Sequence, residues 1–200
     1  PFVRYWLHTG FLNVKGHKMA KSLGNFITIK DALKKYGPKV LRFFYLAAHY
    51  KSPIDFSDEL LEQTKNSLER LNDFVRKLKD SKEKDNDKLI KKTKNEFLKC
   101  MDDDFDTPKA LAAIFDFVKE VNKKGGSKKS YDLMLEFNKI FNVLETKQEK
   151  IPAGIKELTK EREKARKEKN YEKADKIRTQ IKNKGYTLED TEEGSRIKKI

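Results

Sequence analysis

The sequence predicts a mainly α-helical protein in which an antiparallel helical bundle precedes a small α/β tail. Three observations favour this fold. Between residues 56 and 145, apolar side chains recur at spacings of three and four in four successive segments, as they do in amphipathic helices. The connections between these segments are short, which is typical of antiparallel neighbours. Strand-like patterns occur only near the two ends of the chain.

The composition indicates a modest core and a polyanionic partner. Of the 200 residues, 36% are hydrophobic and 39% are charged, which suits one or two domains with wide solvated helix faces. The formal net charge of +14 favours encounter with nucleic acid. A lysine-rich composition shared by unrelated proteins of the same source would also explain this charge.

Cysteine usage and hydropathy bear on the compartment. Because Cys100 is the single cysteine, no intramolecular disulfide can form, which fits a reducing, cytoplasmic setting. No apolar run reaches membrane-spanning length, so we expect no membrane partner. The chain starts at Pro1, without Met, in an apolar stretch that lacks a signal-peptide pattern. We therefore expect a fragment of a longer protein.

The first elements follow from local signals. Residues 1–15 predict two short strands separated by Gly10, and residues 16–26 predict a loop with two glycines. Thr28 and Asp31 are spaced as a capping box, which opens a short helix ended by Gly37. Pro38 suits the first turn of a second, buried helix that we expect to run to Tyr50.

The bundle should begin where Ser57 caps a long helix. A charged connector over 79–88 and a helix over 89–101 follow. Thr107 then reads as the N-cap of the next helix, with Pro108 at its first position. A break at 125–127 precedes the last bundle helix, at 130–144. The stripe of the long helix that should face the core comprises Leu60, Leu61, Thr64, Leu68, Leu71, Phe74, Val75 and Leu78.

The tail reads as two polar helices and a hairpin. Residues 146–154 look like a linker, and the helices should span 155–168 and 171–184, ending at Gly185. Residues 186–189 and 195–198 could pair as a small hairpin. The window 155–184 holds 12 Lys or Arg and 6 Asp or Glu, so its net charge is +6.

The loop over 16–26 carries the clearest chemistry. Lys18 and Lys21 lie three residues apart between two glycines, and lysine is a compact cation on a flexible stem. Two such ammonium groups could stabilise a triphosphate as negative charge develops. An ordinary basic surface loop would show the same two lysines.

The amino-acid sequence of this loop decides between these two interpretations. Residues 18–25 read KMAKSLGN and closely resemble the KMSKS motif of class I aminoacyl-tRNA synthetases, with Ala20 in place of the first serine. Four further blocks resemble the cysteinyl branch of that class, in the expected order and over nearly the whole chain. These blocks are residues 5–16, 25–57, 97–122 and 161–198.

The resemblance implies a domain organisation. Residues 1–55 would form the end of a Rossmann-type catalytic domain, 56–145 a tRNA-binding helical bundle, 146–154 a linker and 155–200 an anticodon-binding tail. Catalysis would use Lys18 and Lys21. The ATP-binding set implied by the motif, in which Lys21 contacts the nucleotide, is Lys18, Met19, Ala20, Lys21 and Ser22.

The tail carries a second candidate site. Arg162, Arg166 and Arg178 are arginines in a lysine-rich chain, and arginine offers a planar fork for phosphates or base edges. A solvated helical hairpin with ion pairs four residues apart would look similar. The resemblance favours RNA reading and implies anticodon contacts at Arg166, Tyr171, Asp175, Arg178 and Asp190, with Tyr171 offering a face for an unstacked base.

No metal ligand is assigned within this chain. Asp102–Asp104 and Asp106 could suggest a cation site, but the sequence has no matching second acidic cluster and no EF-hand spacing. We interpret them as a helix-end loop whose carboxylates cap N–H groups. Cys100 has no spaced partner and reads as a small core residue. The resemblance implies zinc in the full-length enzyme, held by ligands outside this chain.

The predicted function is therefore that of part of a cysteinyl-tRNA synthetase. The whole enzyme would use ATP to join L-cysteine to tRNA(Cys) through cysteinyl-adenylate, and we expect a monomer. The fragment alone should be inactive because half of the nucleotide-binding fold is absent. Two alternatives remain. One is a related ligase that joins cysteine to an amino sugar, and the other is a non-enzymatic helical RNA-binding protein.

Overall fold

The computed structural model describes residues 2–14, 16–145, 152–168, 170–191 and 194–199. The chain divides into two compact units, residues 1–146 and residues 147–200. The mainly helical fold predicted from the sequence is confirmed. No helix within the described ranges is long and apolar enough to cross a membrane.

A three-stranded sheet opens the first unit. Strand β1 (Leu12–Val14) pairs antiparallel with β2 (His17–Lys18) and parallel with β3 (Ile54–Asp55), giving the order β2-β1-β3. The parallel pair is joined through helices α1 (Ile29–Tyr36) and α2 (Pro38–Leu46). A parallel pair connected through helices is the building unit of α/β catalytic domains.

Of the two strands predicted over residues 1–15, only the second is present, as β1. Residues 2–11 form no strand, and the hairpin turns between Val14 and His17, so β2 lies in the segment predicted as a loop. Gly10 instead lies against the backbone of Ser52, where an added Cβ would stand 2.2 Å from the carbonyl oxygen. Its N–H donates to Tyr50 O over 2.8 Å. The glycine therefore serves a close backbone approach.

The two short helices begin as predicted. Asp31 N–H donates to Thr28 Oγ1 over 3.1 Å, which confirms the cap, and Pro38 occupies the first turn of α2. Helix α2 ends at Leu46, four residues before the predicted end, because the chain must turn back towards the sheet and present Tyr50 O to Gly10.

Four helices form the rest of the first unit. They are α3 (Asp58–Asp80), α4 (Asp87–Asp102), α5 (Thr107–Lys124) and α6 (Lys128–Phe141). Their core contains stacked Phe97 and Phe137 rings, with centroids 4.2 Å apart, and Phe117 and Phe141 are almost completely buried beside them. Aromatic burial of this kind is a main source of core stability.

The predicted stripe of α3 is confirmed except at its first residue. The residues from Leu61 to Leu78 in that stripe are buried, whereas Leu60 is 40% exposed.

The predicted N-cap of α5 was wrong by one residue. Asp106, not Thr107, is the N-cap, and its Oδ1 accepts the Lys109 N–H over 3.1 Å. Carboxylates and hydroxyls compete closely for this position, which explains the error.

The second unit has its own small core. Helices α7 (Ala153–Lys167) and α8 (Tyr171–Asn183) pack with a hairpin of β4 (Tyr186–Thr191) and β5 (Gly194–Lys199). Both helices and the hairpin were predicted, although the strands are longer than expected. The predicted linker at 146–154 lies mostly outside the described residues. The buried core residues of this unit include Ile155, Ile177, Ile181 and Leu188.

Candidate functional site

The segment with the two lysines comprises β2, which contains Lys18, and the turn that follows it, which contains Lys21. Gly16 adopts φ 76°, a conformation that favours glycine, and its N–H donates to Asp55 Oδ1 over 3.0 Å, which ties the turn to β3. After β2, residues 21–23 form one turn of 3₁₀ helix, closed by Gly24 at φ 64°. Gly16 and Gly24 therefore mark the two ends of a short segment that contains both lysines.

Asn25 holds this segment together. Its Oδ1 accepts the Ala20 N–H over 2.9 Å, and its Nδ2 donates to Lys18 O over 3.3 Å. The two bonds therefore hold the backbone from Lys18 to Ala20, which leads directly into Lys21. Asn25 lies within the motif, but sequence reasoning could not single it out, because its partners are backbone groups.

The two cations rest on aromatic rings. Lys18 Nζ lies 4.3 Å from the centroid of the Phe11 ring, and Lys21 Nζ lies 5.6 Å from that of Phe26. Both lysines are exposed, and within the described ranges no acidic side chain forms an ion pair with either. Cation–π contacts of this kind orient an ammonium group without neutralising it. The loop can therefore offer two positive charges to an anionic ligand.

The other residues of the predicted ATP-binding set lie in the same turn. Met19 is half-buried, and its N–H donates to Leu12 O over 3.0 Å, which extends the hairpin. Ala20 is half-buried at the N-cap of the 3₁₀ turn, where it supplies no side-chain cap. Ser22 is exposed within the turn. The five residues thus form one continuous segment, in which Lys18, Lys21 and Ser22 are exposed.

The acidic run after α4 serves local structure. Asp104 accepts a hydrogen bond from Tyr50 Oη over 2.7 Å and pairs with Lys51, while Asp106 caps α5. These bonds, led by the one from Lys51, hold the pKa of the Asp104 carboxyl below its ordinary value. Within the described residues, no three His, Cys, Asp or Glu side chains are grouped so that they could hold a metal ion.

The tail places three predicted residues on one stripe of α8. Tyr171, Asp175 and Arg178 are all exposed, and their spacing of four and then three residues puts them on one helix face. The Tyr171 side chain is 61% exposed at the first position of the helix. Arg166 is exposed in the last turn of α7, on the other side of the connection to α8.

Two other tail residues, Arg162 and Asp190, do not lie on this exposed stripe of α8. Arg162 is 3% exposed and donates from Nη1 to Ser195 Oγ over 2.9 Å, so its suggested part in RNA reading was wrong and it serves the fold instead. The sequence could not distinguish it from Arg166, since only the fold buries one and exposes the other. Asp190 lies in β4, but its side chain is outside the described residues.

Comparisons with known families match these regions in order. The model described as the tRNA synthetases class I (C) catalytic domain matches residues 1–66. The DALR domain matches residues 96–147, and the cysteinyl-tRNA ligase anticodon binding domain matches residues 148–196. The last match covers nearly all of the second unit.

Curated relatives match the whole chain. A cysteine–tRNA ligase of Caldicellulosiruptor saccharolyticus is 38% identical over 100% of this chain and 47% of its own length. One of Lachnospira eligens is 39% identical over 98% of this chain and 46% of its own. The chain therefore spans about half the length of the curated relatives it matches.

A solved structure supports the fold. The LeuRS of Agrobacterium radiobacter K84, crystallised in a ternary complex of LeuRS, tRNA and LeuAMS, aligns with a TM-score of 0.55 and 21% identity. The alignment covers 66% of this chain and 20% of that one. The sheet with its two-lysine loop lies within the part that matches the class I catalytic model, so the chain is part of a class I aminoacyl-tRNA synthetase. More narrowly, the chain belongs to the cysteinyl-tRNA synthetase family.

Proposed function

We propose that this chain supplies the ATP-stabilising loop and the tRNA-binding surfaces of a cysteine–tRNA ligase. The whole enzyme would join the cysteine carboxylate to the α-phosphate of ATP and release pyrophosphate. It would then transfer the cysteinyl group to the 3′ end of tRNA(Cys). The observation that carries this proposal is the exposed, unneutralised pair Lys18 and Lys21 in a loop that matches the class I catalytic model.

Lys21 is proposed as the main catalytic cation, with Lys18 beside it. As the bond to the α-phosphate breaks, negative charge builds up on the leaving pyrophosphate, and an ammonium group placed there lowers the barrier. Met19, Ala20 and Ser22 would line the same phosphate-binding segment. The glycines at 16 and 24 allow the loop to adjust around the nucleotide.

The test of this step is Lys21→Ala in a polypeptide that also carries the rest of the class I catalytic domain. Cysteine-dependent pyrophosphate exchange should fall by roughly 10²–10³-fold, as is typical when one transition-state donor is removed. Lys30→Ala, which removes an exposed lysine from nearby α1, is the matched control and should leave exchange unchanged. Undiminished exchange in Lys21→Ala would remove this residue from the mechanism.

The tail is proposed to read the anticodon through Tyr171, Asp175 and Arg178 on α8, with Arg166 and Asp190 beside them. An exposed tyrosine can stack on an unpaired base, and an arginine can bond a base edge or a phosphate. The match to an anticodon binding domain supports this assignment over the amino-sugar ligase, which has no need of such a domain.

Binding of tRNA variants tests the tail. Tyr171→Ala should weaken binding of the cognate tRNA by about 1–3 kcal/mol, the usual contribution of a stacked base. It should also reduce the preference over a tRNA with a substituted anticodon. Lys173→Ala, which removes an exposed cation from another face of α8, should keep that preference. A preference that is equal in both variants would contradict the proposed reading face.

The described residues contain no donor set for the implied zinc, so the proposed roles of this chain do not involve the metal. Cytoplasmic location and a monomeric state stay predictions from the sequence.

A further inference from the structure

The solvent face of α4 differs from those of the other bundle helices. Positions 88, 92, 95 and 99 follow one another at spacings of four, three and four, so they share one face of the helix. They are occupied by Lys88, Lys92, Asn95 and Lys99, with Lys91 on the flank. All five side chains are exposed, while Thr93 and Phe97 on the opposite face are buried.

These lysines keep their charge uncompensated. Within the described parts of the chain, none of the four forms an ion pair, although other lysines of the bundle do, such as Lys94 with Glu136 over 2.6 Å. The solvent faces of α3, α5 and α6 interleave acids with their cations, as in the pairs Lys65–Glu62 and Lys124–Glu120. Acids of α4 lie at its ends or flank, where Asp87 binds Lys129.

We infer that the α4 face, defined as Lys88, Lys91, Lys92, Asn95 and Lys99, binds the phosphate backbone of a double-helical RNA stem. From the first to the last lysine the face extends roughly 16 Å at 1.5 Å per residue. A nucleic-acid duplex carries a charge about every 1.7 Å along its axis, so several phosphates can meet these cations. The amide of Asn95 can donate to a phosphate or a ribose hydroxyl between them.

Such a face recognises shape and charge, not sequence. Double-stranded RNA hides its base edges in a deep, narrow groove, so side chains on one straight helix contact mainly backbone. The inference rests on the proposed function, because it takes a stem of the bound tRNA as the partner. It adds a positioning surface in the first unit, distinct from the residues proposed to read the anticodon on α8.

The experiment measures tRNA binding by the 200-residue chain as a function of salt. The test variant is Lys88→Ala/Lys92→Ala/Lys99→Ala, and the matched control is Lys119→Ala/Lys123→Ala/Lys139→Ala, which removes the same charge from exposed positions of α5 and α6. The slope of log K against log salt should drop by about 3 in the test variant, one per lost phosphate contact. The control should change the slope little.

The outcomes separate the two proposals. The α4 variant should weaken cognate and anticodon-substituted tRNA by the same factor, so that the preference between them stays constant. Equal changes of slope in both triple variants would reduce the effect to overall charge and overturn the inference. An unchanged slope in the α4 variant would overturn it while leaving the proposed anticodon reading intact, whereas absence of tRNA binding by the unmodified chain would remove both.

Discussion

At the scale of single residues, Asp85 decides how helix α6 begins. Its carboxylate accepts hydrogen bonds from the N–H groups of Ser127, Lys129 and Ser130, at 2.8, 3.0 and 3.1 Å, and from the hydroxyls of both serines. Burial opposes its ionisation, but the bonds from Ser127 N–H, Ser130 Oγ and Lys129 N–H outweigh that cost and hold the pKa of Asp85 well below its ordinary value of 3.8. A carboxylate also suits the positive end of a helix.

Replacing one carboxylate oxygen of Asp85 by an amide NH₂ should therefore lower the stability of the fold. In Asp85→Asn, an amide NH₂ faces N–H donors, so at least one of them loses its acceptor and the free energy of unfolding should fall by about 1–3 kcal/mol. Asp87→Asn is the control, because it breaks only an exposed ion pair with Lys129, which solvent screens, and it should change the free energy of unfolding much less. Urea unfolding followed by the helical circular-dichroism signal measures both. Equal losses would show that the cap has no special role.

The same carboxylate predicts a pH dependence. Because its folded pKa is depressed, the stability it contributes is fully present above the unfolded value near 3.8 and is lost as pH falls towards the folded value. The difference in stability between the unmodified chain and Asp85→Asn should therefore be constant above about pH 5 and should narrow below pH 4. Urea midpoints collected from pH 7 down to pH 3 check this, and a gap that widens on acidification would contradict it.

At the scale of elements, the two-lysine loop depends on Asn25. In Asn25→Ala, the Ala20 N–H loses its acceptor and the turn loses about 1 kcal/mol of local stability, so exchange of this amide should quicken about fivefold. Asn25→Asp keeps the acceptor oxygen and loses only the longer bond to Lys18 O, so it should retain most of the protection. Hydrogen exchange followed by NMR measures the amide directly, and equal rates in all three proteins would exclude this bracing role.

Elements were predictable where their determinants are local. The caps by Thr28 and Ser57 could be predicted because each hydroxyl accepts a hydrogen bond from the N–H group three residues further along the chain. The cap by Asp85 could not be predicted, since it comes from 42 residues away and the connector around it reads only as charged. The strand predicted before Gly10 failed for a similar reason, because Gly10 is fixed by contact with Ser52, 42 residues further along the chain. In the site, the motif located the lysines, but only the fold showed the rings beneath them and the burial of Arg162.

At the scale of the whole molecule, the hydrophobic cores of the two units share no residues. The first contains Phe117 and its aromatic neighbours, and the second contains Ile181, which is completely buried. The second unit spans residues 147–200, so at about 0.05–0.15 kcal/mol per residue its total stability is only about 3–8 kcal/mol. A single cavity in its core can therefore remove most of that stability.

This separation predicts that either unit can be unfolded alone. Ile181→Ala should cost about 2–5 kcal/mol, enough to expose the amides of α7, α8 and the β4–β5 hairpin to exchange while α3 to α6 stay protected. Phe117→Ala, at about 3–5 kcal/mol, is the reciprocal variant and should lower protection only in the bundle. Hydrogen exchange read by mass spectrometry on peptides from both units measures this. Loss of protection along the whole chain in Ile181→Ala would mean that the two cores fold as one cooperative unit, and that the proposed RNA-reading tail cannot change without its bundle.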